Sequence, residues 1–391
     1  PKYVPLNMEC IAYADDLLVL LPGNSRKGIE TQGQAIVTVI QDWCNNEKLS
    51  LSTSKTEMIL LKGTLDTKRP PTIKIDGKQK HLRETVKYVG IHIDRGLRVN
   101  THAKHLRSKC VEKFNALARV ARAKWGLRHN CLRVLYKGVF EPIVVYAAAA
   151  WSDKMTQAVR EVLVQAQRHA LLRVTKAYRT TSTAALQVTA GTLPIDLKVE
   201  EAAHKYRIRK NINFSFNGHN FPGDKNPKDL TEIIRTHHLN EWQRRWTETD
   251  KGRHTYDILP DVRQKREMDW LCPDHYTMQF ITGHGDFSIN LHRLGLTNNK
   301  NCQCGAEETA LHILLECPLY DAERTEYRNC FETQHLEWPP NPTELLSKNT
   351  YAAFKNAARK LLQKKEESWT KGRNGKPDRD GRTQTWHKYR Q

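Results

Sequence analysis

The stretch Met8-Glu-Cys-Ile-Ala-Tyr-Ala-Asp15-Asp16-Leu-Leu-Val-Leu-Leu21 decides how the rest of the chain is read. Two apolar runs of strand length flank a pair of acids, the pattern of strand, tight turn and strand with Ala14-Asp15-Asp16 at the tip. Next along the chain, residues 26–48 repeat apolar side chains at helical spacing (Ile29, Ala35 or Ile36, Val39, Ile40, Trp43) and stop at Asn45-Asn46. Ser54 to Leu61 reads as a short strand. Thr72 to Leu82 holds Asp76-Gly77 between alternating residues, a two-residue hairpin signal. Val86 to Asp94 alternates again, with Val89, Ile91 and Ile93 on one face and Tyr88, Gly90 and His92 on the other.

From residue 100 the period becomes helical. Leu106, Cys110, Phe114, Leu117 and Ala121 form an apolar stripe, with Lys104, Lys109, Lys113 and Arg119 off it. Further helices are expected at 130–150, 155–177 and 197–211. Residues 213–229, with two prolines, two glycines and several asparagines, read as a linker. A mostly helical region follows to about 365, and the remainder is a polar, basic tail expected to be unstructured. No internal repeat is visible.

Composition narrows the class. The 391 residues are 39% hydrophobic, enough for real cores. The apolar runs Leu17–Leu21 and Val144–Trp151 fall short of the ~18–20 residues of a membrane span. No secretory signal opens the chain, and the first residue, Pro1, suggests a piece of a longer protein. Nine cysteines, closely spaced in only one place, do not form a disulfide framework, which favours a reducing, intracellular setting. The formal net charge is +20, and it is concentrated. Residues 101–133, which include Arg122, carry nine Lys/Arg and one acid; residues 355–391 carry twelve and four. Two such blocks are the footprint of a polyanion binder, and neither pairs its charge with the apolar face of a membrane-surface helix.

Two clusters carry chemistry. Carboxylates fixed at a strand turn can hold two divalent ions ~3.5–4 Å apart against a triphosphate. Magnesium suits such a turn, since it takes few carboxylates and completes its shell with phosphate oxygens and water. Separately, Cys302, Cys304, His312 and Cys317 offer three thiolates and an imidazole within sixteen residues, a donor set for tetrahedral structural zinc. Gly305 would close the knuckle, and His312 and Cys317 would come from a short helical turn.

In the order and spacing of its boxes the chain resembles the reverse transcriptase polyprotein of type-1 non-LTR retrotransposons of arthropods, elements that insert into ribosomal DNA. Tyr13-Ala14-Asp15-Asp16 resembles the family's active-site box. Leu49-Ser-Leu-Ser-Thr-Ser-Lys55-Thr-Glu-Met58 resembles the next box, and Lys87-Tyr88-Val89-Gly90-Ile91 the primer-grip hairpin. The similarity continues through Ala177-Tyr-Arg-Thr-Thr-Ser182, Ala190-Gly191, Thr282-Gly-His-Gly285 and the cysteine cluster. The resemblance implies that Asp15 and Asp16 bind catalytic Mg2+, that Lys55 assists the leaving pyrophosphate, and that Tyr88 and Gly90 approach the primer end. Lys104, Lys109, Lys113, Arg119 and Arg122 would hold the duplex phosphates. Zn2+ would sit in the Cys-Cys-His-Cys knuckle. The family's earlier strand-borne aspartate, its fingers and any N-terminal endonuclease are expected upstream of Pro1, so residues 1–391 by themselves are expected to extend no primer.

The fold class that follows is α+β: a partial polymerase palm of antiparallel hairpins and a helix (1–98), a helical thumb and connection (99–212), a linker (213–229), a mostly helical C-terminal nucleic-acid-binding domain with the zinc knuckle (230–365), and a basic tail (366–391). The expected partners are element RNA as template, target DNA as primer and deoxynucleoside triphosphates, in the nucleus and without a membrane. A non-enzymatic zinc-knuckle nucleic-acid-binding protein with a decayed palm is the alternative. Three features read as structural: His284 and Asp286 as loop residues, Lys376-Pro377-Asp378-Arg379-Asp380 as tail, and Trp242 and Trp246 as helix core.

Overall fold

The computed structural model describes residues 8–61, 65, 68–117, 126–216, 219–221 and 226–371. They fall into two compact units, residues 1–105 with 154–159, and residues 106–153 with 160–391.

The first unit is built on hairpins around one helix. Strands β1 (Glu9–Tyr13) and β2 (Asp16–Leu20) pair antiparallel. Helix α1 (Arg26–Asn46) starts where the Ser25 hydroxyl accepts the Gly28 N–H at 3.1 Å. One side of α1 packs Ile36, Ile40 and Cys44 against Met8, Val19 and Leu21, and Val37 packs with Ile73 and Ile75. After β3 (Met58–Ile59) comes the hairpin of β4 (Ile73–Ile75) and β5 (Lys78–Lys80), turning at Asp76-Gly77 as expected. β6 (Leu82–Arg83) returns to pair in parallel with β3. β7 (Thr85–Tyr88) and β8 (Ile91–Asp94) close the unit as a hairpin.

Two expectations change here. The strand over 54–61 shrinks to Met58–Ile59, because residues 52–56 form a turn in which the Thr56 N–H and hydroxyl both bond the Ser52 carbonyl (3.1 and 2.8 Å). The alternating run 86–94 folds back at Val89-Gly90, both at positive φ (43° and 81°). Facing residues of a hairpin share a side, so Tyr88 stands with Ile91 and His92 with Lys87, the reverse of the single-strand reading.

Helix α2 (Asn100–Leu117) buries Leu106, Cys110 and Phe114 as its stripe predicts. In the second unit the helix expected at 130–150 is broken. α3 (His129–Leu135) widens through a π-helical turn (Tyr136–Phe140) into α4 (Glu141–Val145), and Ala147, at φ 50°, separates α5 (Ala148–Trp151). By length and composition residues 129–154 match a membrane span; Leu132, Tyr136, Phe140, Val144 and Trp151 are packed inside the unit, whereas Val134 and Tyr146 are exposed. α6 (Gln157–Thr175) and α8 (Ile195–Arg209) fall where expected. Between them lies α7 (Thr183–Ala190), which hydrophobic periodicity could not mark because residues 185–190 are all buried and no polar face alternates.

The expected linker carries structure. β9 (Phe214–Phe216) and β10 (His219–Phe221) form a hairpin, and Phe214 is buried with Ile208, Leu230 and Ile234. Strands of three residues are too short to show a period among prolines and glycines. Beyond them follow α9 (Pro227–Glu248), α10 (Arg253–Ile258), α11 (Val262–Glu267), α12 (His275–Thr282), α13 (Ser288–Arg293), α14 (Asp321–Glu332) and α15 (Tyr351–Lys371). One core joins Ala185, Val188 and Leu197 to Trp242, Trp246, Phe280, Tyr327, Phe354 and Leu361, so helices on both sides of 213–229 share it. α15 runs past the expected boundary at 365; residues 372–391 lie outside the described residues.

Candidate metal centre and acidic hairpin

The acidic hairpin turns on two residues. Tyr13 pairs with Asp16, so the tip is Ala14-Asp15, and Asp16 is the first residue of β2 rather than part of the turn. Ala14 sits at φ 52°, a left-handed conformation that disfavours any residue with a Cβ. Both carboxylates are exposed, beside Tyr13 and Ile11. Among the described residues neither is in an ion pair or hydrogen bond, so their oxygens are open to a hard cation. Lys55 is exposed in the 52–56 turn. Thr53 anchors that turn by donating to the Asp76 carboxylate, which also accepts from Gln41 Nε2 at 2.6 Å, and the Lys80 ammonium donates to the Thr53 carbonyl. Among the described residues no contact within ion-pair range joins Lys55 to Asp15 or Asp16. Tyr88 is half-buried at the end of β7, and Gly90 completes the turn at a φ that suits glycine. Lys104, Lys109 and Lys113 are exposed along α2, whereas Arg119 and Arg122 lie outside the described residues.

The cysteine cluster converges. One donor atom from each of Cys302, Cys304, His312 and Cys317 lies within 4.8 Å of all the others. Cys302 Sγ is 3.6 Å from Cys317 Sγ, and Cys304 Sγ is 3.2 Å from His312 Nε2. The first distance excludes a disulfide, whose sulfurs sit ~2.05 Å apart. Both approach the ~3.8 Å edge of a tetrahedron with ~2.3 Å metal–sulfur bonds. Local chain geometry explains the convergence. The Cys302 N–H bonds the Ala306 carbonyl at 2.7 Å, and Gly305, at φ 98°, lets the chain reverse between them. On the other arm, residues His312–Glu316 form a π-helical turn, with the Cys317 N–H on the His312 carbonyl at 2.8 Å. Widening to an i→i+5 ring returns residues five apart to the same side, which an α-helix would not do. The backbone bond to Ala306 brings the Cys304 thiol down to about 7, while burial pushes Cys317 up to about 12.

Supporting residues escaped the sequence reading. Glu316 Oε2 lies 3.4 Å from His312 Nδ1, leaving Nε2 to face the cluster; its i+4 spacing from His312 was the available signal. Glu308, between the two arms, is buried and accepts from Ser288 N (2.7 Å) and Oγ (2.9 Å), and its carboxylate contacts the buried Lys365 ammonium of α15. Arg324 is fully buried, and Lys300 is paired with Glu307 at 2.9 Å.

The described part of the second basic block is also engaged internally. Lys355 and Arg359 face Asp274 (3.5 and 3.7 Å), Lys360 faces Glu326 (3.4 Å) and Lys364 faces Glu323 (2.9 Å). Trp242 and Trp246 are core residues as expected. Cys272 and Cys330, outside the quartet, are half-buried, Cys272 within 3.1 Å of Asn130 Oδ1. Asp286 accepts from the Tyr178 hydroxyl at 2.9 Å, and burial holds His284 down to about 4, which suits loop residues in a structural role. Residues 376–380 lie outside the described residues.

Over 337 residues the chain is 37% identical to the Retrovirus-related Pol polyprotein from type-1 retrotransposable element R1 4 of Nasonia vitripennis, covering 80% of this chain and 85% of that one. The chain belongs to the Pol polyproteins of type-1 R1 retrotransposable elements. A second R1 Pol polyprotein, from Bradysia coprophila, is 32% identical over 324 residues, and there the chain spans only 32% of the longer relative. More distantly, the "Probable RNA-directed DNA polymerase from transposon BS" of Drosophila melanogaster is 26% identical over 141 residues, 36% of this chain. No protein-family profile and no solved structure matches this R1 Pol chain.

Proposed function

We propose that this R1 Pol segment is the C-terminal part of an RNA-directed DNA polymerase that copies element RNA from a primer on target DNA, in the nucleus. The observation that carries the reading is the hairpin tip, where Asp15 and Asp16 stand adjacent, exposed and unpaired among the described residues, on strands braced by α1. Oxygen-only donors at a turn fit Mg2+. Asp15 would be its principal protein ligand and Asp16 a supporting one. When bound, the metal lowers the charge barrier to attack of the primer 3′-hydroxyl on the α-phosphorus and to departure of pyrophosphate. Lys55 would place positive charge beside the leaving pyrophosphate from its anchored turn. Tyr88 and Gly90, on a tight hairpin whose backbone is free of a Cβ at Gly90, would hold the primer end. In this reading residues 1–98 are palm and α2 belongs to the thumb, where Lys104, Lys109 and Lys113 bind duplex phosphates in a salt-dependent way.

The Cys302, Cys304, His312 and Cys317 quartet suits Zn2+ by donor type and spacing, with no protein-free corner in a four-ligand set, so its role is structural. It fixes the 300–317 loop on the core of a C-terminal nucleic-acid-binding domain. The test is Asp15→Asn in the complete parent polyprotein: Mg2+-dependent DNA synthesis on an RNA template should vanish while RNA binding stays within about twofold. Surviving synthesis would refute the hairpin as the metal site and favour the non-enzymatic reading.

A further inference from the structure

A convergence of cationic side chains lies in the second unit, outside the acidic hairpin and the cysteine cluster. Helix α7 ends at Gly191, where φ is 64°. A Cβ there would stand 3.7 Å from the Lys265 ammonium and 4.0 Å from a terminal nitrogen of Arg133. Cationic groups from α11 and α3 therefore converge on one bare piece of backbone. Lys265 is 2% exposed, and among the described residues no carboxylate lies within ion-pair range of its ammonium, Asp269 acting on it from further off. Burial, reinforced by Arg133, brings it down to about 8, so it still carries its charge at neutral pH. Arg133 has one carboxylate near it, Asp269 at 3.5 Å, which is 87% exposed, and its buried Nε is unsatisfied. Lys137 follows Arg133 by one helical turn, and Arg266 adjoins Lys265 in sequence; both feel the charge of Arg133. Glu141, which faces Lys198 at 4.0 Å, also offsets Lys137 and Arg266, and Glu201 offsets Arg266. Two cations thus converge on Gly191 with Asp269 as the one loosely held carboxylate beside them, an arrangement that an anion would complete.

We propose that Lys265 and Arg133 at Gly191 seat one backbone phosphate of a bound nucleic acid, with Lys137 and Arg266 at the rim for the phosphates on either side. The lysine supplies a point charge and the arginine a planar fork, a pairing suited to phosphate oxygens. This inference rests on the nucleic-acid reading above, and the experiment separates the two. Binding of a short fluorescein-labelled RNA–DNA duplex is followed by anisotropy over a range of salt for the intact chain, Lys265→Met and Arg133→Gln, with melting temperatures recorded in parallel. Each phosphate contact contributes about 0.9 to the slope of log affinity against log salt. Lys265→Met and Arg133→Gln should each flatten that slope by about 1 and weaken binding at low salt by about tenfold. Lys265→Met should melt at the same or a higher temperature, because it removes a buried charge with no carboxylate in ion-pair range among the described residues. Unchanged slopes in both variants, with wild-type binding intact, overturn the phosphate seat and leave the nucleic-acid reading standing. A fall in melting temperature that parallels the loss of binding in Lys265→Met assigns the lysine a structural role and also overturns it. A wild-type chain without salt-dependent binding refutes both.

Discussion

Replacing Glu308 with glutamine should damage the C-terminal core more than removing its whole ion pair. Glu308 is 6% exposed and Lys365 3%, so both charges are taken out of water. Glu308→Gln keeps the shape and a carbonyl oxygen for the Ser288 N–H, now at 2.7 Å from the carboxylate, but takes the nearest counter-charge from the Lys365 ammonium and leaves it Asp286 further off. Breaking a buried pair in this way costs about 3–5 kcal/mol, a large part of the ~5–15 kcal/mol that holds a domain together. Lys365→Met leaves the carboxylate with its two Ser288 donors and should cost less, about 2 kcal/mol. The double variant Glu308→Gln/Lys365→Met removes both members of this pair and still satisfies Ser288, so it should lie within about 1–2 kcal/mol of wild type. The measurement is urea unfolding of the metal-loaded protein, followed by the fluorescence of the buried Trp242 and Trp246, with equal m-values required before comparison. Additive single-variant losses in the double, or a Glu308→Gln cost below about 1 kcal/mol, would refute the claim that this pair is desolvated and coupled.

Two further outcomes concern the second unit. Freshly purified protein should contain about one zinc per chain, and a strong chelator or His312→Ala should remove it and expose residues 300–317 to protease; protein without zinc at isolation contradicts the assignment. For pH, burial first and His238 second hold His204 down to about 4, against an ordinary 6.5, and burial holds His129 down to about 4. Between those values the unfolded chain binds protons that the folded chain refuses. Their contribution is therefore intact above about pH 6.5 and is lost as pH falls toward 4, with a slope near ~2.7 kcal/mol per pH unit for two groups. His204 stacks with Phe214 at 5.1 Å between ring centroids, so His204→Phe should keep the packing and reduce the slope by about one proton; an unchanged slope refutes the assignment.

Periodicity and turn chemistry were enough to place α1, the Asp76-Gly77 hairpin and the acidic hairpin, because each is specified by residues close in sequence. The Asp15-Asp16 pair and the four Cys/His donors were legible for the same reason: residue type and spacing announce metal chemistry before any fold is known. Spacing did not reveal the π-helical turn that brings His312 and Cys317 to one side, nor the fold-back at Val89-Gly90 that puts Tyr88 and His92 on opposite faces. Both change which way side chains point without changing the pattern of hydrophobic and polar residues.

By itself, then, the amino-acid order determined the local elements, the acidic tip and the metal donor set. Only the tertiary structure decided which charges meet. Lys265 and Arg133 are 132 positions apart, yet they converge at Gly191, and most of the described C-terminal basic run turns out to face acids of its own domain. Charge composition is additive along a chain, whereas the energy of a charge depends on its distance from others and on its burial. Neither quantity exists until the chain has folded.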